Sequence, residues 1–114
     1  MANLIKHYPE TLTNIQLYNL TKSRKAQKMS DAAGQIVTIQ AWALYEDADK
    51  TSGEVREVLS ILTADGDVLS TISETFKNDF LDMFEMFGDE MKKIEVITGK
   101  SKNNRTYVTC AYAE

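Results

Sequence analysis

From residue 35 onward, apolar positions change period twice, and each change marks a change of element. "QIVTIQAWALYED" (35–47) is rich in β-branched and aromatic residues and alternates, with Val37, Ile39, Ala41, Ala43 and Tyr45 on one parity. Ile36, Thr38, Gln40, Trp42 and Leu44 form the other, more mixed parity, so the stretch predicts a long strand with Trp42 facing outward. "EVREVLSILTA" (54–64) and "DVLSTIS" (67–73) predict two more strands around Asp65-Gly66, a pair typical of a tight hairpin turn with positive φ. The period then becomes helical. Phe76, Phe80, Met83, Phe84 and Phe87 form one stripe with acids opposite, opened by a candidate N-cap, Ser73, and closed by a candidate C-cap, Gly88. This stripe is core packing rather than a cofactor box. "KKIEVIT" and "RTYVTCAYA" return to alternation and predict a final hairpin around "GKSKNN".

Ahead of this block, Leu12, Ile15, Tyr18 and Leu20 predict a short amphipathic helix with Thr11 as a possible N-cap. A basic, mobile loop is expected from there to Ala33, and residues 1–10 read as a loose N-terminal extension to one domain spanning 11–114. The fold class is α+β, mainly β. Three meandering strands, a helix and a two-stranded hairpin give the element order of an OB-like five-stranded barrel or sheet, with an additional N-terminal helix. A β-grasp or another open α+β sheet shares parts of this order.

With 114 residues the chain is long enough for one core and too short for two. Cys110 is the single cysteine, which excludes an internal disulfide and a cysteine-based metal site and fits a reducing compartment. The N-terminus has no secretory pattern, and no segment approaches the roughly 20 apolar residues of a membrane span. Gly99-Lys100-Ser101 looks like the tail of a phosphate-binding loop. However, Ile94 stands where the loop's first glycine is required, and a strand pattern follows where a helix is required.

Catalytic chemistry lacks its parts. His7 is the only histidine and lies near the chain start, and Cys110 alternates with Val108 and Tyr112 as a small apolar strand residue. The carboxylate pairs Asp65/Asp67 and Asp79/Asp82 read as turn chemistry and a solvated helix face, without calcium-loop spacing. No enzyme, metal or cofactor is expected.

The charge distribution is more informative than the net charge of −4. Residues 11–30 hold Lys22, Arg24, Lys25 and Lys28 without an acid, and residues 99–113 hold Lys100, Lys102 and Arg105 without an acid. Residues 74–90 hold six acids against Lys77. Each run could be a plain solvated face. In an OB barrel, however, a single strand of nucleic acid crosses the second and third strands between two loops, one of which joins the last two strands. That loop here is "GKSKNN". Lys100, Lys102 and Arg105 would follow phosphates, and Tyr107 would offer a stacking face. Trp42 and Tyr45 read equally as packing or as stacking residues. Lys22, Arg24, Lys25 and Lys28 would form a second, flexible clamp.

"GQIVTIQAWALY", "ILTADGDVLSTISET" and "VITGKSKNNRTYV" together resemble the single-stranded-DNA-binding proteins of tailed phages that replicate linear DNA by protein priming. The shared features are an Ala-Asp-Gly turn (Ala64, Asp65, Gly66) leading to Ser70, Ile72 and Ser73, a tyrosine ending the first strand (Tyr45), and a Gly-x-Ser-x-Lys-type turn before the last strand. The resemblance runs from about Thr11 to the C-terminus. It implies a non-enzymatic protein that coats and protects displaced strands during replication in the bacterial host cytoplasm. The acidic helix would repel the strand or face replication proteins, and homo-oligomerisation is left open. Ser52 and Leu69 stand where further stacking tyrosines are expected, which shifts the burden to Trp42, Tyr45 and Tyr107. The alternative is a non-catalytic protein–protein interaction module.

Overall fold

The computed structural model of the protein describes residues 3–22, 25–48 and 51–113. In chain order the elements are β1 (Asn3–Tyr8), α1 (Asn14–Lys22), β2 (Gln27–Lys28), β3 (Ile36–Ala48), β4 (Val55–Thr63), β5 (Val68–Thr71), α2 (Glu74–Phe87), β6 (Lys93–Lys100) and β7 (Thr106–Ala113). The strands form a curled, open sheet in the order β2-β5-β4-β3-β6-β7. β3 is its axis. One edge of β3 pairs with β4 over Ile39–Ala48, and the other pairs first with β6 (residues 36–38) and then with β1 (residues 42–46).

The expected strands are all present, but the sheet has seven strands rather than five, because β1 and β2 join it. Residues 3–8, read from sequence as loose, form β1, and the His7 Nδ1–H donates to the Pro9 carbonyl at 3.0 Å. The segment after α1 is pinned too. Gln27 and Lys28 pair in parallel with Leu69 and Ser70, and a 3₁₀ turn at Met29–Ala32 buries Met29 and Ala32 in the core. Neither strand has an alternation long enough to announce itself.

The largest departure from expectation comes from one extra residue. Ile39 pairs with Thr63 and Ala41 with Leu62, so β3 carries a bulge at Gln40. A bulge shifts the alternation by one residue, and a shift of one moves every later side chain to the other face. Val37 therefore shares the main core with Trp42 and Leu44, while Ala41, Ala43 and Tyr45 face the opposite side. The main core also holds Leu59, Ile61, Leu69, Ile94, Val96 and Cys110, and is capped by Phe76 and Phe80 of α2. On the opposite face α1 lays Leu20 over Ala41, Ala43, Tyr45, Leu62 and Val68.

Both helices have legible ends. Ser73 caps α2 by accepting from the Phe76 N–H at 3.2 Å, and Gly88 ends it with φ +55°. α1 is capped by Thr13 rather than Thr11. Thr13 Oγ1 accepts from Gln16 N–H at 3.1 Å, and the Gln16 side chain accepts from Thr13 N–H at 3.0 Å, a reciprocal capping box. This start sets a face different from the expected one: Ile15 and Tyr18 are 75% and 55% exposed, and Leu20 is buried.

The β4–β5 turn is also wider than expected. Thr63 N–H donates to Asp67 O at 2.8 Å, closing a three-residue loop, Ala64-Asp65-Gly66, in which Gly66 takes the left-handed position at φ +91°. That is the loop length in which the positive φ falls on the last residue rather than on a central pair.

Candidate nucleic-acid interface

β6 and β7 pair in register from Lys93↔Ala113 to Lys100↔Thr106, which leaves Ser101–Arg105 as the connecting loop. Ser101 holds the loop at several points. Its N–H donates to Arg105 O at 2.9 Å, its carbonyl accepts from Asn104 N–H at 2.9 Å, and its hydroxyl oxygen accepts from Arg105 N–H at 3.3 Å. Asn104 takes φ +60°, a conformation asparagine tolerates well. The resemblance of Gly99-Lys100-Ser101 to a phosphate-binding loop therefore ends in an ordinary hairpin whose serine shapes the turn.

Lys100, at the end of β6, and Lys102 and Arg105, in the loop, are all exposed, and none forms an ion pair among the described residues. Their charges are thus available to a polyanion without breaking a contact. Tyr107 stands directly below the loop, 40% exposed, on the same face as its cross-strand partner Gly99. A β-carbon on Gly99 would lie 2.6 Å from the Tyr107 hydroxyl oxygen and 2.7 Å from Cζ. The distal half of the ring therefore lies across the β6 backbone.

The second basic segment is only partly drawn to this hairpin. Lys22 ends α1, Lys25 follows it and Lys28 lies in β2, all exposed, while Arg24 lies outside the described residues. Lys28 lines a cavity of about 300 Å³ together with Met29, Ser70, Thr71, Ile72 and, from β7, Val108. This cavity marks the opening between β5 and β7, which are not hydrogen-bonded neighbours in the sheet. The Ser73 hydroxyl spans the opening by donating to the Val108 carbonyl at 3.3 Å. Because β2 is a paired strand, Lys28 sits on a fixed support rather than on a mobile clamp.

Trp42 and Tyr45 are placed away from solvent. Trp42 is 1% exposed and meets Phe80 and Phe84 edge to face, with ring centroids 5.3 and 5.0 Å away. The bulge at Gln40 turned it inward, so the stacking role considered for it from sequence does not fit this arrangement. Tyr45 is 5% exposed beneath α1, and its hydroxyl shares a 3.4 Å hydrogen bond with the Ser60 hydroxyl. Burial raises the Tyr45 phenol above its ordinary value, and the nearby Asp47 carboxylate adds to the shift. A base could reach Tyr45 only if α1 moved. Tyr107 is the one sequence-named aromatic candidate that the structure leaves exposed.

The acids of α2 and of the turn that follows it divide by role. Asp79 accepts from the Thr109 hydroxyl and ties the helix to β7, and Glu74 pairs with the buried ammonium of Lys77. Asp82, Glu85, Asp89 and Glu90 remain exposed. Cys110 is buried, and that burial, reinforced by the Asp79 charge, pushes its thiol up to about 12, so it carries no thiolate at neutral pH. Among the described residues no cluster of histidine, cysteine and carboxylate groups could hold a metal ion, and no helix is long and apolar enough to cross a membrane.

An exposed cationic hairpin beside an open aromatic ring, on an otherwise acidic protein, suits a flexible polyanion that carries stackable bases. Comparison with known proteins agrees. A family model described as phage single-stranded DNA-binding protein matches residues 8–112, and the chain belongs to that family. It is similar to the single-stranded DNA-binding protein of Bacillus phage B103, with 28% identity over 115 residues and 94% of each chain covered. No solved structure gives a significant match.

Proposed function

We propose that this phage single-stranded-DNA-binding protein grips its strand with the β6–β7 hairpin, and that it coats and protects strands displaced during replication in the bacterial host. Lys100, Lys102 and Arg105 neutralise phosphates and Tyr107 stacks a base. Lys28 extends the cationic surface on the β2 side of the cleft, and Lys22 and Lys25 extend it beyond. The observation that carries this assignment is the hairpin itself: its cations are exposed and form no ion pair among the described residues, and the aromatic ring at its base is open to solvent. The curled sheet supports it. β3, β4 and β5, then α2, then β6 and β7 follow the strand order of an OB barrel left open between its third and fifth strands, and the β6–β7 loop is one of the loops that flank the ligand in such barrels. The protein acts by binding alone and brings about no chemical change in the DNA.

Salt dependence tests the assignment. Each phosphate contact on a single strand contributes about −0.7 to the slope of log affinity against log salt. Changing Lys100, Lys102 and Arg105 together to serine is expected to flatten the slope by up to about 2 and to weaken binding equally for every homopolymer. An unchanged slope in a folded variant would return this loop to plain hairpin chemistry.

A further inference from the structure

Glycine inside a strand is costly, because it gives up conformational freedom and brings no side chain to the sheet. Gly99 occupies such a position in β6, directly opposite Tyr107. Its φ is not in the left-handed region, so the backbone does not require glycine there. Space does. An added β-carbon would sit 2.6 Å from the Tyr107 hydroxyl oxygen, 2.7 Å from Cζ and 3.0 Å from Cε1, closer than atoms can approach without one of them moving. At each of the other four glycines an added β-carbon would meet nothing within 4 Å. Gly99 is thus, of the five glycines, the one whose missing β-carbon leaves room for a neighbouring ring.

From this contact we infer that Gly99 is a positioning residue for the DNA site. By presenting bare backbone it lets the Tyr107 ring lie down on β6 with its outer side turned to solvent, a platform held ready for a nucleobase. The ring's freedom is reduced before DNA arrives, so stacking costs less ordering than it would for a freely rotating tyrosine. Any side chain at position 99 lifts the ring and removes the platform while leaving the loop cations in place. The inference rests on the proposed role of this hairpin, with Tyr107 as its stacking residue.

Binding of an oligo(dT) and of an abasic strand of equal length, at fixed salt, separates the two contributions. Tyr107→Ala is expected to weaken oligo(dT) binding roughly 5- to 150-fold, the range for one stacked base, and to leave the abasic strand unaffected. Gly99→Ala is expected to reproduce most of that base-dependent loss, with an unchanged salt slope and no further loss in the Gly99→Ala/Tyr107→Ala double variant. A purely structural role for Gly99 would instead weaken both strands and add to the tyrosine effect, and that result overturns the inference. So does parental oligo(dT) binding by Gly99→Ala when Tyr107→Ala is impaired. If Tyr107→Ala itself binds oligo(dT) normally, the platform is wrong. The cationic hairpin would still stand in that case if the loop triple variant flattens the salt slope. Should Gly99→Ala fail to fold, the same change combined with Tyr107→Leu is expected to restore folding, because the clash is with the ring, and failure of that rescue overturns the inference as well.

Discussion

The ammonium of Lys77 donates to the backbone carbonyl of Glu57 at 3.1 Å. β5 is short, and its pairing with β4 ends at Leu59↔Thr71, so the Glu57 carbonyl projects past the end of the ladder. Lys77 reaches it from α2, is itself 3% exposed, and also donates to Glu74 at 2.9 Å. Lys77→Met keeps the aliphatic stem and removes the donor, leaving a carbonyl without its partner. Its expected cost is about 1–3 kcal/mol of stability in urea denaturation. Glu74→Gln touches an exposed carboxylate and is expected to cost under about 1 kcal/mol. Equal small effects would show that water replaces the lysine.

Trp42 is a core residue between Phe80 and Phe84, which makes its emission a reporter of folding rather than of DNA. The emission is expected to be blue-shifted and to change little when oligo(dT) is added. Trp42→Phe should remain folded with parental affinity, whereas Trp42→Ala should cost about 3–5 kcal/mol. Strong quenching by DNA would bring the indole back into the binding site.

The Ala64-Asp65-Gly66 loop needs a left-handed residue at its last position only. Gly66→Ala is therefore expected to destabilise by about 1–2 kcal/mol, and Gly66→Asn by less, since asparagine tolerates this region. Asp65 does not carry a positive φ, so Asp65→Ala should cost less than Gly66→Ala in the same denaturation experiment. A larger penalty at Asp65 would show that its side chain, not the glycine, defines the turn.

Two buried acids fold in their neutral forms. Burial, then the Asp79 charge, raises the Cys110 thiol from 9.0 to about 12. Burial raises the Tyr45 phenol above 10.0, against a lowering by the Ser60 hydrogen bond and with a lesser rise from Asp47. In the unfolded chain both groups give up their protons at lower pH than in the fold, so the unfolded state gains as pH rises. Their stabilising effect is complete below about pH 9 and is lost as pH climbs toward 12. Cys110→Ala should remove the earlier part of this alkaline decline and Tyr45→Phe the part that begins near 10.0. An identical alkaline melting profile for both variants and the parent would refute this origin. Native Cys110 should also resist thiol reagents at neutral pH until the protein unfolds.

Much of the β-hairpin framework and all of α2 could be read from local signals, because alternation, the Phe stripe, Ser73 and Gly88 each act within a few residues. Trp42 could not be placed that way. Its facing depends on a bulge at Gln40 that exists only when β3 meets β4, and no residue in "TIQAW" announces it. The face of α1 turned on whether Thr11 or Thr13 caps the helix, and only Thr13 has a glutamine three residues on to complete the box. β1 and β2 owe their existence to the free edges of β3 and β5 rather than to their own composition. In the candidate site, the loop cations were legible because nothing acidic lies near them in sequence. The partnership of Gly99 with Tyr107 appears only once the register of β6 on β7 is known.

The opening between β5 and β7 leaves the girth of the sheet without a ladder to set it at that point. A closed barrel has a girth set by its ladders, and widening it means breaking backbone hydrogen bonds strand by strand. Here the Ser73–Val108 contact crosses the seam without a ladder rung beside it, and the Asp79–Thr109 and Phe87–Tyr112 contacts hold β7 to α2 instead. Closure at the seam therefore rests on side-chain contacts and core packing rather than on strand pairing. The β6–β7 arm, with its cations and Tyr107, is therefore joined across the seam by one helix and a shared core rather than by a continuous ladder.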